Sequence, residues 1–441
     1  MEFLSAHVDA VIYAIGLVAL LLLLMPFSPM MIDILLLPRG LQLAIYRYRY
    51  LLWAIVWAAA AILLIRGLNA IAEPSGLLAP LVAMLKGLLG DWGPSLFGAG
   101  DPVWITVTLV TIAIAAFMFW SGYVPYVMTP PANPKLLDVK EADSLLKDDD
   151  MVLGVVNGAD VHAYPRDYIA RPHFFADVVG GEQLTISYCI LCNSGTAFRS
   201  ELKGRPLKLK CVTAYNNNII YYDPATRNFI QQLDGAVIEG PDAGAQLDQH
   251  PVVQARWGDW KELHPDTKLY YAPEKSLRDK MVGAMLQMLI PIRKLAKRTK
   301  PWHRIRGRLD PRLPAMSYVY AIEINGERKA YAESDLREAR VINDSVGGEP
   351  LVVLYDAQRD VGDIFSRRVE GRVLTFSPAS GADGAIARDD ETGSTWRVTG
   401  KAVAGPLAGQ RLQELPHYNK LFWFSWPLFK PDTSLVRAAN Q

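Results

Sequence analysis

The same ladder of turn residues occurs twice in this chain, and that repeat constrains the fold more than any other feature. Asp177, Gly180, Gly181 and Tyr188 recur as Asp344, Gly347, Gly348 and Tyr355. Gly235, Gly240, Pro241 and Gly244 recur as Gly400, Gly405, Pro406 and Gly409, and Trp260 with Pro265-Asp266-Thr267 recurs as Trp426 with Pro431-Asp432-Thr433. A common offset of about 167 residues across so many turn positions argues for two versions of one module. Met151–Val156 alternates and ends in Asn157-Gly158, a hairpin signal repeated at Tyr318–Ile324 and Asn325-Gly326. Short strands separated by glycine turns predict mainly antiparallel, barrel-like modules over 151–275 and 311–441. Only the first module keeps thiols. Where it has Cys189 and Cys192, the second has Asp356 and Arg359.

Composition shifts sharply near residue 130, which sets the N-terminal part against the modules. Val8–Met25, Leu51–Ile65 and Val103–Trp120 are almost uninterrupted apolar sequence, so residues 1–129 read as transmembrane α-helices with three spans. Arg47, Tyr48, Arg49 and Tyr50 suit a headgroup layer. A short apolar segment at 72–90, broken by Pro80 and carrying Lys86, could be interfacial or a fourth crossing. The reading is thus a multi-pass cell-membrane protein whose partners are the lipid bilayer and a membrane-protein complex or a second copy. Residues 130–150 form a proline-marked linker. Over 276–310 the apolar periodicity of Met281, Met285, Met288 and Ile292, followed by Lys294, Lys297 and Arg298, predicts an amphipathic basic linker helix. Net charge of +1 and the lack of any nucleic-acid motif argue against nucleic-acid binding.

Cys189 and Cys192 stand three residues apart just after a strand. That spacing suits a redox pair or two sulfur ligands on one metal, zinc, copper or iron; a static disulfide or inert thiols are the bland alternatives. No second thiol pair exists, so further ligands would come from His162, His173, His250, His264 or Asp177. Cys211 reads as a buried strand residue. Asn217, Asn218, Asp223, Gln231 and Trp260 could line a polar pocket, although asparagine runs are also ordinary turn material. Ser194-Gly195-Thr196 could cradle an anion. A nucleotide loop, a GxSxG elbow and an HExxH helix are all missing from the sequence. Two functions follow from these residues: a thiol-based metal or redox site, or a non-catalytic accessory subunit of a membrane complex.

Ala163-Tyr164-Pro165, Asp177, Gly180-Gly181, Tyr188-Cys189-Ile190-Leu191-Cys192 and Ser194-Gly195-Thr196, with the Gly235–Pro241 and Trp260–Thr267 stretches, resemble the DUF3179 family of bacterial and archaeal proteins. The resemblance covers most of 150–270 and, more loosely, 317–435. It implies an extracytoplasmic location for the modules and supplies no settled activity.

Overall fold

The computed structural model describes residues 38–52, 54, 55, 58, 130 and 134–437, apart from 171, 272–296 and 382. They belong to two units, Met1–Tyr126 and Val127–Gln441. In the first unit lies the helix Arg39–Arg47, nine residues long. It spans about 14 Å, half of the roughly 30 Å a hydrocarbon core requires. Among the described residues no helix is long and apolar enough to cross a membrane. The expectation of N-terminal transmembrane helices, and of a multi-pass membrane location, is corrected on that finding. The segments Val8–Met25 and Val103–Trp120, the 72–90 segment and most of Leu51–Ile65 lie outside the described residues. Arg49 stacks on the rings of Tyr46 and Tyr50.

The second unit is mostly β-sheet, and its two halves share one plan. In the first half, the hairpin Met151–Asn157/Asp160–Pro165 is flanked by Val253–Arg256, antiparallel to its first strand, and by Lys268–Tyr271, parallel to its second. In the second half, Tyr318–Ile324/Glu327–Ala332 is flanked in the same senses by Tyr418–Phe422 and Ser434–Val436. A meander follows each hairpin: Phe174–Val179, Glu182–Cys189 and Ser194–Arg199 in one, Val341–Val346, Glu349–Asp356 and Val361–Ser366 in the other. Each half adds a small four-stranded sheet, Lys210–Glu239 and Phe376–Ala404.

None of these sheets closes on itself. The barrel-like expectation is therefore corrected: alternating strands with tight turns specify pairing between neighbours, whereas closure depends on tilt and stagger along every strand. The open sheets bury their faces against each other instead. Val152, Trp257 and Trp260 of the first half join Val352, Phe365 and Trp396 of the second in one core. Leu233 packs with Val319, Tyr418 and Trp426 in another.

Local contacts repeat with the topology. Asn157 donates to Val179 O (2.9 Å) and Asn325 to Gly347 O (2.8 Å), each pinning a hairpin to the next turn. Tyr164 donates to Asp177 (2.8 Å) as Tyr331 does to Asp344 (2.9 Å). His173 and Arg340 both adopt positive φ, 65° and 62°, and their carbonyls accept from the N–H of Tyr188 and Tyr355. Residues 297–310, expected to continue a linker helix, hold no helical element; the apolar stretch before them lies outside the described residues.

Candidate functional site

The cysteine pair is built by two hairpins meeting. Glu182–Cys189 ends at Cys189, the chain turns through Ile190–Asn193, and Ser194–Arg199 begins directly opposite it. The turn is closed by Asn193, at φ 55°, whose Oδ1 accepts from Tyr188 Oη at 2.6 Å. The second hairpin pairs Lys210–Tyr215 with Asn218–Asp223, joined by Asn216-Asn217 at φ 50° and 61°. Two consecutive positive-φ residues make a type I′ turn, for which asparagine pays little steric penalty.

This turn lies against the sulfurs. Cys189 Sγ donates to Asn217 O at 3.3 Å. Asn218 Nδ2 donates to Cys192 Sγ at 3.2 Å, and Ser194 Oγ lies 3.1 Å from the same sulfur. Neighbouring groups dictate the orientation of the Asn218 amide. Its oxygen accepts from Gln231 Nε2 and from the Leu233 N–H, so its NH2 must face the sulfur. Gln232 completes the net, accepting from Asn218 and Ser194 (2.7 Å each) and donating to Ser194 O and Thr196 Oγ1.

The two cysteines lie 3.4 Å apart as free thiols, so the static-disulfide alternative does not describe this state, and the spacing alone does not establish a Cys-x-x-Cys redox motif. Both are 0 % exposed. Burial pushes the Cys189 thiol well up, and its hydrogen bond to Cys192 adds to that. Burial would raise Cys192 as well, but its polar contacts, with Cys189 first and then Ser194 and the donating Asn218 amide, outweigh it and bring Cys192 down. Of the two sulfurs, Cys192 is therefore the one that gives up its proton more readily. Cys211, buried in its strand as expected, is pushed up by burial alone.

The histidines go elsewhere. His162 Nδ1 bonds Asp177 Oδ2 at 2.8 Å, and both belong to the hairpin packing. His173 Nδ1 lies 3.1 Å from Tyr188 O, and burial lowers its pKa to about 4. His250 Nδ1 sits 3.0 Å from Pro251 O, its pKa lowered by burial. His264 lies against the Trp260 ring, 4.2 Å between centroids; burial, then the charge of Arg411, takes it to about 4. Among the described residues, the one group of three His, Cys, Asp or Glu side chains able to share a metal ion is Asp363, Glu414 and His417; neither cysteine belongs to it.

Of the polar residues proposed from sequence, Asn217, Asn218 and Gln231 gather at the sulfurs. Asp223 instead caps a turn, accepting from Thr226 N and Oγ1 and from Lys208 N. Trp260 donates to Thr267 and packs in the shared core. The Ser194 and Thr196 hydroxyls join the cysteine net. In the second half, Asp356 and Arg359 occupy the register of the two thiols and pair with each other at 2.9 Å. Asp363, Glu414 and His417 went unnoticed in the sequence: Glu414 and His417 stand three residues apart, but Asp363 is remote from both and only packing joins it to them.

A family model described as "Protein of unknown function (DUF3179)" matches residues 123–433, well over half of the chain. No curated protein matches, and no solved structure matches.

Proposed function

The chain belongs to the DUF3179 family, and from that premise we propose that its first half carries a redox-active dithiol oxidised by small peroxides. Cys192 is the attacking sulfur and Cys189 the resolving one. The observation that carries this reading is the Asn218 amide held against Cys192 Sγ by Gln231 and Leu233, with the Cys189 thiol 3.4 Å away. A sulfur that accepts fixed donors favours its thiolate, which is the nucleophilic form.

The full burial of both sulfurs favours an oxidant close to water in size over a macromolecular disulfide. The Cys192 thiolate attacks a peroxide oxygen and the O–O bond breaks; the leaving oxygen departs as hydroxide (or as alkoxide, from an alkyl hydroperoxide) and takes a proton from solvent to become water or the alcohol. Cys192 becomes a sulfenic acid. Cys189 then attacks that sulfur; the S–O bond breaks, water leaves with the Cys189 proton, and a Cys189–Cys192 disulfide forms. Two equivalents of a small thiol restore the pair. A metal held by the thiols finds less support, because no imidazole or carboxylate joins them among the described residues.

We also infer that the two halves are copies of one module and that the second has exchanged thiol chemistry for an ion pair. Support comes from the matched sheet order, the paired Asn157/Asn325 and Tyr164/Tyr331 contacts, and the Asp356–Arg359 pair in the thiol register. An accessory role without chemistry is the second reading, favoured by the sealed burial of the sulfurs.

The test is mass spectrometry of the full chain after one equivalent of hydrogen peroxide. The expected product is a Cys189–Cys192 disulfide, and in Cys189→Ser a sulfenic acid at Cys192, trapped by dimedone added as the oxidised chain is unfolded. Cys192→Ser should abolish both, with Cys211 unmodified. Both sulfurs remaining reduced in the folded wild-type chain would favour the accessory role.

A further inference from the structure

We propose that Asp363, Glu414 and His417 bind a divalent first-row transition-metal cation at the wall of the cavity between the two halves. The inference is independent of the thiol pair. Asp363 lies in the Val361–Ser366 strand, Glu414 is bridged to Phe365 on that strand, and His417 immediately precedes the Tyr418–Phe422 strand. One ligand atom from each lies within 4.8 Å of the others.

The histidine indicates that the cluster is more than adjacent acids. His417 is 1 % exposed. Its Nδ1 sits 2.9 Å from Leu415 O, an acceptor, so Nδ1 carries the hydrogen. Nε2 is left with a bare lone pair, has no hydrogen-bond partner and lies 3.6 Å from Asp363 Oδ1. Nε2 is therefore a buried acceptor with nothing to accept, facing a carboxyl oxygen that already takes the Ile364 N–H at 2.7 Å, and that costs free energy unless something positive sits beside the nitrogen. A cation meets that need directly. Two ligands on one tetrahedral ion with bonds of about 2.0–2.1 Å are roughly 3.3 Å apart, so a separation of 3.6 Å needs little adjustment. The carbonyl behind Nδ1 is also the usual outer partner of a metal-bound imidazole, fixing its tautomer and aim.

One imidazole with two carboxylates favours zinc, manganese or iron over magnesium, which prefers oxygen ligands alone. Asp363 and Glu414 line a cavity of about 240 Å³ together with Trp260, His264, Phe365 and Arg411. Water or an anionic ligand could thus take the ion's remaining position, with the Arg411 guanidinium lining the same space.

The experiment uses the full chain in a Cys189→Ser/Cys192→Ser background, so that thiols cannot supply the binding. It is stripped with EDTA, dialysed and titrated calorimetrically with zinc chloride, with magnesium chloride in parallel. We expect one equivalent of zinc, at least about tenfold weaker magnesium binding, and an X-ray absorption spectrum of the bound zinc with one imidazole and no sulfur. Glu414→Gln and Asp363→Asn should each weaken zinc at least about tenfold, with folding checked by circular dichroism. The proposal is overturned if the thiol-free chain binds no zinc, if its zinc shell lacks imidazole, or if folded Glu414→Gln binds as tightly as its parent. Should that variant misfold, the parent's stoichiometry and absorption spectrum decide alone.

Discussion

Lys430→Met is expected to lower the stability of the second unit by about 3–5 kcal/mol, the loss seen when one member of a buried charge cluster is removed. Lys430 Nζ lies 2.8 Å from both Asp234 Oδ2 and Glu323 Oε2, with Lys430 and Asp234 each 7 % exposed. Burial alone would lower the lysine pKa, but the two carboxylates more than reverse this and raise it. The Lys430–Asp234 pair joins the halves, since Asp234 belongs to the first and Glu323 and Lys430 to the second. Deleting the ammonium leaves the buried Asp234 carboxylate and the partly buried Glu323 carboxylate with less counter-charge, Glu323 keeping Arg328 at 2.9 Å. Urea unfolding measures the loss, and the triple variant with Asp234→Asn and Glu323→Gln should recover most of it, because neutral amides no longer need the lysine. A loss below about 1 kcal/mol, the scale of an exposed pair, would show that the cluster is solvated and does not tie the halves together.

Gly154→Val should cost about 3 kcal/mol, at the upper end of overpacking in a well-filled core. Gly154 lies in the Met151–Asn157 strand directly beneath Trp260, and a Cβ there would overlap the six-membered ring. The indole has no room to yield. It is 1 % exposed, its Nε1 donates to Thr267 at 2.9 Å, and His264 covers it at 4.2 Å. Thermal unfolding should show a marked fall in midpoint for Gly154→Val and a much smaller one for Gly158→Asn, whose Cβ would meet nothing within 4 Å and whose left-handed φ of +63° asparagine tolerates best among the larger residues. Equal effects of the two would remove the Trp260 contact as the cause.

The repeat was legible because turns are written in residue identity. Positions such as Gly180-Gly181 and Gly347-Gly348 need positive φ, and the sequence marks them with the residues that tolerate it. Trp426 with Lys430-Pro431-Asp432-Thr433 was legible as a counterpart of Trp260 with His264-Pro265-Asp266-Thr267, but the ion pairs of Lys430 were not, since Asp234 is remote in sequence and only packing brings it there. Sheet closure was misread because a strand as apolar as Met151–Val156, buried on both faces over 152–155, says nothing about what covers each face. The apolar N-terminal runs were read as spans from composition, which no described helix bears out.

At the site, the cysteines and amides were each visible, but their meeting depends on how the Asn218–Asp223 strand packs against the Cys189–Ser194 turn. The metal-ligand histidines expected around the thiols are held by hairpin, carbonyl and indole contacts instead. Asp363 shows the limit most clearly. It stands at the register of Thr196 in the first half, a correspondence visible only once the two sheets are laid out. Only the fold adds Glu414 and His417 to it.

The dithiol account stands or falls on Cys192 being a thiolate while Cys189 keeps its proton. Ultraviolet thiolate absorbance of the full folded chain, followed against pH, measures this without any reagent entering the sealed site. Because the folded Cys192 is shifted down, one thiolate should form below the ordinary cysteine value of about 8.5. That step should vanish in Cys192→Ser and persist in Cys211→Ser. Absorbance that rises only above the ordinary thiol range, or an early step that survives in Cys192→Ser, would contradict the account.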